Sequence, residues 1–388
     1  MSGPLDGIRI LEFAGIGPGP FCGMMLADQG AEVILIERPV RTRRGAANLD
    51  ILNRSRKSIV LDLKQPASLE VVRRLARGAD GLIEGFRPGV MERLGLGPDV
   101  LLAQNPRLVY GRMTGWGQTG PDAHLPGHDI NYLALSGVLD ALGRAGDKPT
   151  PAANLVADFG GGGMMLAFGM LAGILSAKST GKGQVVDCAM TDGATLLSAM
   201  IWTMRSQGRW SGKRGENLLD TGAPCYDTYE TSDGRYMAVG SLEPEFYAVF
   251  CARMGLSDHP DAQRQLDPAV WPRFKRTLAE RFRTKTRDQW VEVFAGADAC
   301  VTPVLAMDEV MDHPHNAARQ PLIEVDGVLQ PAPAPRFMGS PPVRPRMPQT
   351  RGEDAHAILA AAGFGPAEIA ELQKSGALGP MEVVTDAV

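Results

Sequence analysis

The feature that most constrains this chain is an alternation of short apolar runs and helical periodicities over its first 110 residues. Ile8 to Phe13 is an apolar run that ends in Gly15-Ile16-Gly17-Pro18-Gly19-Pro20. A helical stretch from Phe21 to Gln29 follows, then a stop at Gly30 and a second apolar run, Val33 to Ile36. Runs at Ser58 to Leu61, Gly81 to Ile83 and Leu108 to Tyr110 alternate with helical patterns at Leu69 to Ala76 and Pro98 to Gln104. Short strands separated by helices need crossover connections, so the expected fold class is α/β, with a parallel sheet wrapped by helices in a Rossmann-like large domain.

The texture changes at Pro224. Tyr226 to Thr231 and Arg235 to Gly240 flank Ser232-Asp233-Gly234, which reads as an antiparallel hairpin opening a smaller α+β domain. That domain continues through helical segments at Pro244 to Met254 and Trp271 to Phe294. The expected organisation is a large domain of residues 1–200 with 325–388, a linker over 201–223, the small domain over 224–318, and an extended linker over 319–350 returning to the large domain. Residues 331–350 hold seven prolines and no periodicity, which suits an extended crossing. A last helical segment, Glu353 to Ala361, needs a surface to pack on.

Composition excludes several function classes. With 44% hydrophobic and 22% charged residues, the chain is ordinary for a soluble globular protein. Forty Lys and Arg against 44 Asp and Glu leave a net charge of −4, which argues against a general nucleic-acid binder or a polybasic membrane protein. Five cysteines without C-x-x-C spacing suggest neither a disulfide framework nor a zinc ribbon. With no leader-like start, the expected compartment is the cytoplasm. Gly160 to Ala177 is uncharged, but it opens with four glycines and directly follows Asp158, so a buried helix is expected there rather than a membrane span. Gly169 and Gly173 within it would let another backbone pack closely. The Gly15 loop is a poor dinucleotide fingerprint, because Pro20 and Cys22 stand where glycines are required and prolines offer no N–H to a pyrophosphate.

Local charge says more than net charge. Arg38, Arg41, Arg43, Arg44, Arg54, Arg56, Lys57 and Lys64 place eight cations within 27 residues, which points to an anionic ligand such as a multiply phosphorylated nucleotide. In an α/β sheet that ligand belongs outside the carboxyl ends of the strands.

Two titratable residues stand at expected helix starts. His128 precedes Asp129, after which Ile130, Leu133, Ala134, Gly137 and Val138 recur at helical spacing. A helix N-terminus there disfavours the imidazolium and leaves a neutral, basic ring. Asp158 closes Leu155 to Ala157 and precedes Gly160 to Gly163; the same dipole would stabilise its carboxylate, and glycines would bare N–H groups to a ligand. Two bases beside a backbone anion site suit proton abstraction next to a carbonyl. Capping and solvation are the bland alternatives for each residue. Glu243, before the helix begun by Pro244, reads as an N-cap or first-turn acid that can also hold an imidazolium. Metal ligation is not expected: His124 and His128 are separated by Pro126 and Gly127, and His313 and His315 by Pro314.

Several longer motifs resemble family III CoA transferases, the CaiB/BaiF-like family. They are Pro4-Leu5-x-Gly7-Ile8-Arg9, the Gly15 to Pro20 loop, Glu84-Gly85-Phe86-Arg87-Pro88-Gly89-Val90, Met113 to Pro121 and Asp298 to Val304. Gly127-His128-Asp129-Ile130-Asn131-Tyr132, Leu155-x-Ala157-Asp158-Phe159 and Val239-Gly240-x-x-Glu243-Pro244-x-Phe246-Tyr247 resemble the alpha-methylacyl-CoA racemase branch of that family.

The resemblance implies that His128 and Asp158 are two catalytic bases, that Glu243 partners His128, and that Asp129 and Asn154 support the site. It also implies that Arg38, Lys64 and Arg93 lie where the CoA phosphates are held, with Ile16 and Gly17 among the CoA-binding residues, and that the fold is an interlocked, ring-like homodimer. The expected reaction inverts C2 of a 2-methyl-branched acyl-CoA in fatty acid metabolism by two-base proton transfer through an enolate. Coenzyme A is then part of the substrate, and no other cofactor is required. The rival reading is CoA transfer between carboxylic acids with Asp158 as nucleophile. The arginine-rich stretch Arg41 to Ala47 departs from the family pattern.

Overall fold

The computed structural model describes residues 3–39, 50–340, 343–348 and 350–379; the arginine-rich stretch around 41–47 lies outside them. The chain divides into two compact units, one built from Met1–Ser136, Ala153–Leu197 and Gln320–Val388, the other from Gly137–Ala152 and Ser198–Arg319.

The first unit is organised by a six-stranded sheet of β1 (Arg9–Phe13), β2 (Glu32–Glu37), β3 (Lys57–Val60), β4 (Gly81–Glu84), β5 (Val109–Thr114) and β6 (Gln184–Ala189). The order is β3-β2-β1-β4-β5-β6, and every pairing is parallel. Five strands sit where the apolar runs predict them, because a parallel strand covered on both faces reads as an unbroken apolar stretch. Helix α1 (Pro18–Asp28) links β1 to β2, α2 (Pro66–Arg77) links β3 to β4, and α3 (Val90–Arg93) and α4 (Pro98–Gln104) lie between β4 and β5. Helix α1 starts three residues before the expected Phe21, since the first turn needs no N–H donors and accepts Pro18 and Pro20.

One core joins Leu11, Ile34, Ile59, Val72, Leu75, Leu82 and Tyr110 to Ile358, Leu359, Ile369 and Leu372 from the chain's return segment. The return segment therefore packs on α2 and the sheet through the helices Ala355–Ala361 and Pro366–Lys374, of which sequence patterning anticipates the first.

Leu155–Thr180 is continuous helix, π-helical over Leu155–Met164 and α-helical over Met165–Thr180. Its length and apolarity would allow it to cross a membrane. Here one face lies on the sheet: a Cβ added to Gly173 would come within 2.7 Å of Val109 Cγ1, and one on Gly169 within 2.8 Å of Val186 Cγ1. Phe168, Leu171 and Leu175 remain exposed, so this helix is half-buried and not the wholly buried element the sequence suggests.

In the second unit the hairpin forms as expected. Strands β7 (Tyr226–Glu230) and β8 (Tyr236–Gly240) pair antiparallel, turning at Gly234 with φ of 73°. Strand β9 (Val301–Pro303) joins β8 as a third strand. The segment read as one helix over Trp271 to Phe294 is two, Trp271–Phe282 and Arg287–Phe294, because the Thr286 hydroxyl caps the second by accepting from Gln289 N at 3.3 Å. This unit begins earlier than residue 224, and part of the 201–223 stretch is helical, within Ala199–Ser206.

Candidate functional site

Connections leave β1 and β4 in opposite directions, so the carboxyl ends of these neighbouring strands open a crevice at the sheet's switch point. Three loops border it: 14–17 after β1, 85–89 after β4 and 115–117 after β5. Gly17 takes a φ of 74°, a left-handed conformation that favours glycine. A Cβ there would stand 3.4 Å from Asp158 Oδ2, so the β1 loop runs directly beside that carboxylate. Ile16 is almost fully exposed at the loop's tip.

His128 stands at the N-cap of α5 (Asp129–Leu135), in extended conformation and exposed. Its backbone N–H donates to Asn131 Oδ1 at 3.1 Å, which fixes the turn that presents the ring. Asp129 follows and is buried. Its Oδ1 accepts from Ala157 N at 2.9 Å and Asp158 N at 2.7 Å, tying the start of α5 to the π-helical turn that carries Asp158. The second oxygen, Oδ2, is buried and has no hydrogen-bond partner among the described residues.

Asp158 is half-buried in the first turn of the π-helical segment, a geometry frequent at functional sites. Burial pushes its carboxyl above the ordinary carboxylate range and the Asp129 charge pushes it further, while a hydrogen bond from Asn154 and the neighbouring His128 pull the other way. This reverses the expectation that the helix dipole governs Asp158. The N–H groups nearest to it are already taken by Asp129, and the protonated acid gains.

The glycines after Asp158 also serve another end than ligand access. A Cβ on Gly161 would come within 2.6 Å of Ala194 N, one on Gly162 within 2.9 Å of Met190 Cγ, and one on Gly163 within 2.7 Å of Phe21 Cδ1. They let this segment pack against α1 and the helix Met190–Leu197.

The cationic run divides. Arg54 lies fully buried against Asp28, and Arg56 is buried with its Nε 3.0 Å from Glu12 Oε2, so both are structural. Lys57 pairs with Glu32 at 2.5 Å. Arg38, just past β2, and Lys64, past β3, are exposed at the carboxyl edge of the sheet. Arg93 ends α3 (Val90–Arg93), also exposed. That short helix is fastened by Arg112 of β5, which holds Glu84 at 3.0 Å and Glu92 at 2.8 Å. His128, Asp129, Asn154, Asp158 and Gly17 thus come together, while the three cations sit on strand ends and on α3. Glu243 belongs to the second unit, where it is the exposed N-cap residue of Pro244–Met254 and its side chain makes no capping bond. Sequence reading gave no role to Tyr132, whose phenol lies within electrostatic reach of both Asp158 and Arg87.

The sequence pattern of CoA-transferase family III matches residues 5–355. The chain is 46% identical to the human protein named alpha-methylacyl-CoA racemase over 374 residues, covering 95% of this chain and 96% of that one. It is 45% identical to the mouse protein of the same name over 372 residues, with the same coverages. Among solved structures, a CaiB/BaiF family protein from Brucella suis superposes with a TM-score of 0.80 at 27% identity, covering 93% of this chain and all of that one.

Proposed function

The chain belongs to CoA-transferase family III, and from that footing we propose that it is an alpha-methylacyl-CoA racemase, inverting C2 of 2-methyl-branched acyl-CoA thioesters by two-base proton transfer. The observation that carries this reading is the Asp129 bridge: one carboxylate binds the backbone N–H of Asp158 and adjoins His128 in sequence, tying two acid–base groups together. The thioester carbonyl acidifies the α C–H bond. His128 takes the proton from one enantiomer while protonated Asp158 delivers one to the opposite face, and the reverse reaction exchanges their states. An Asp158 carboxyl raised by burial and by Asp129 is suited to hold that proton. The step is redox-neutral and adds no group, so no cofactor beyond the substrate's own CoA is called for. Arg38, Lys64 and Arg93 would meet the CoA phosphates at the sheet edge, Ile16 and Gly17 the thioester end, and Glu243, whose side chain makes no capping bond to its own helix, would hold the imidazolium.

The CoA-transfer reading makes Asp158 a nucleophile and leaves His128 without a part as a second base, whereas proton transfer at C2 uses both residues. We further propose a homodimer acting in the cytoplasm on branched fatty acyl groups. Exposed Leu155, Phe168 and Leu175 support a covered apolar face, and five free cysteines support a reducing compartment.

Incubating one pure 2-methylacyl-CoA enantiomer in D₂O without any free acid tests the reaction. Deuterium at C2 with loss of optical purity is the expected outcome. Thioester turnover only upon addition of a carboxylate acceptor, with C2 unlabelled, would establish transfer instead.

A further inference from the structure

Tyr132 lies one turn into α5 and is buried at 7% exposure. Its ring is wedged between two glycines: a Cβ at Gly115 would meet Tyr132 Cε1 at 2.0 Å, and a Cβ at Gly127 would meet the same atom at 2.6 Å. Neither glycine has a positive φ, so both are glycine because the ring leaves no space for a side chain. Trp116 closes the wedge edge-to-face, centroids 4.8 Å apart and planes at 80°. The Gly115 carbonyl is held in turn by Thr191, whose N and Oγ1 donate at 3.1 and 2.8 Å. The phenol hydroxyl donates to the Gly127 carbonyl, the peptide group that immediately precedes His128.

A buried tyrosine could simply fill this gap, in which case phenylalanine would serve as well. The hydroxyl adds a directed bond to the one peptide whose orientation sets the exit of the His128 backbone. It does so within electrostatic reach of Asp158; burial, and after it that carboxylate's charge, push the phenol above its ordinary value. Tyr132 is therefore bonded to the peptide that precedes His128 and lies within electrostatic reach of Asp158, the two residues that the function above assigns to proton transfer.

Resting on that assignment, we propose that Tyr132 is a positioning residue: through its hydroxyl bond to Gly127 it holds His128 in the orientation that delivers and removes the C2 proton opposite Asp158. It touches no reacting atom, so its loss should lower turnover and leave affinity alone. A 1 Å misplacement of a reacting group is enough to cost a large factor in rate.

The test compares Tyr132→Phe with Tyr132→Leu. The phenylalanine keeps the wedge and loses the hydroxyl, whereas the leucine loses both. Tyr132→Phe should restore the thermal midpoint that Tyr132→Leu lowers, yet show a kcat for C2 epimerisation reduced about fivefold to tenfold, with KM within about a factor of two, as expected for one lost hydrogen bond. The His128 imidazole resonances, identified by their disappearance in His128→Gln, should shift in Tyr132→Phe while those of the other five histidines stay in place. Wild-type kcat and unmoved His128 resonances in Tyr132→Phe would reduce Tyr132 to a space-filler and overturn the proposal, whether or not the leucine variant folds. Absence of C2 exchange in the wild-type protein would instead refute the racemase reading, and the resonance comparison would still decide what Tyr132 does.

Discussion

Gly193→Ala probes whether the seat of Asp158 depends on backbone-to-backbone packing. Gly193 lies in the helix Met190–Leu197, and a Cβ added there would fall 1.8 Å from the Gly161 carbonyl oxygen, 2.5 Å from its carbonyl carbon and 2.7 Å from its Cα. All three atoms are backbone, so no rotamer relieves the clash. The two helices must separate by more than about 1 Å before ordinary van der Waals distance returns. Such overpacking costs about 1–3 kcal/mol, partly offset by the ~1 kcal/mol that alanine gains over glycine in a helix. The net expectation is a loss of up to about 2 kcal/mol in urea unfolding, read as a lower midpoint at unchanged slope. Gly161 is three residues from Asp158 on the same segment, so the displacement reaches the carboxylate. A shift near 1 Å at a reacting group is worth about 10² in rate. The assay is deuterium wash-in at C2 beside the urea curve. Gly339→Ala, at a glycine whose added Cβ would meet nothing within 4 Å among the described residues, is the control. A Gly193→Ala protein with wild-type midpoint and wild-type exchange would refute the packing argument.

Native alkylation should modify Cys300 alone of the five cysteines. It is exposed, while Cys22, Cys188, Cys225 and Cys251 are buried, and burial pushes the Cys188 thiol up to about 12; mass spectrometry after labelling near pH 8 reads the sites, and early labelling of Cys188 would contradict the packing. Arg38→Ala or Arg93→Ala should weaken CoA binding in calorimetry, with a loss that shrinks as salt screens exposed phosphate contacts, whereas unchanged affinity in both variants would remove these positions from the phosphate site. In the second unit, Arg287 holds the Glu309 carboxyl down to about 2 through two bonds of 2.7 Å. A depressed carboxyl stabilises the fold above its unfolded value and loses that contribution as pH falls through the folded one. The acid limb between about pH 4.5 and 2 should therefore flatten in Glu309→Gln, and an unaltered limb would deny the pair a role.

What the sequence discloses follows from where the information is local. Strands β1 to β5 are legible because burial on both faces leaves continuous apolar runs. Strand β6 is not, because it is an edge strand whose first four positions are not buried and whose place depends on pairing with β5. The break between Trp271–Phe282 and Arg287–Phe294 rests on a capping box, in which Thr286 Oγ1 accepts from Gln289 N and Gln289 Oε1 accepts from Thr286 N, and the apolar periodicity running across it masks this signal. Arg54 and Arg56 look like ligand groups when counted with their neighbours, since nothing nearby in sequence announces Asp28 and Glu12 as their partners. At the site, His128 and Asp158 are legible as residue types in motifs. The bond that joins their segments is not, because it links Asp129 to an amide 29 residues away. Tyr132 stands in the same motif as His128, but nothing local in the sequence announces that its hydroxyl bonds the Gly127 carbonyl.

The central claim is that two bases work on opposite faces of C2, and wash-in of deuterium from each separate enantiomer into His128→Ala and Asp158→Ala tests it most directly. Each folded variant should lose exchange from one enantiomer far more completely than from the other, the two variants should show opposite preferences, and neither should racemise, because every turnover needs a donor opposite the base. Near-wild-type racemisation by His128→Ala, or the same enantiomer preference in both variants, would contradict it.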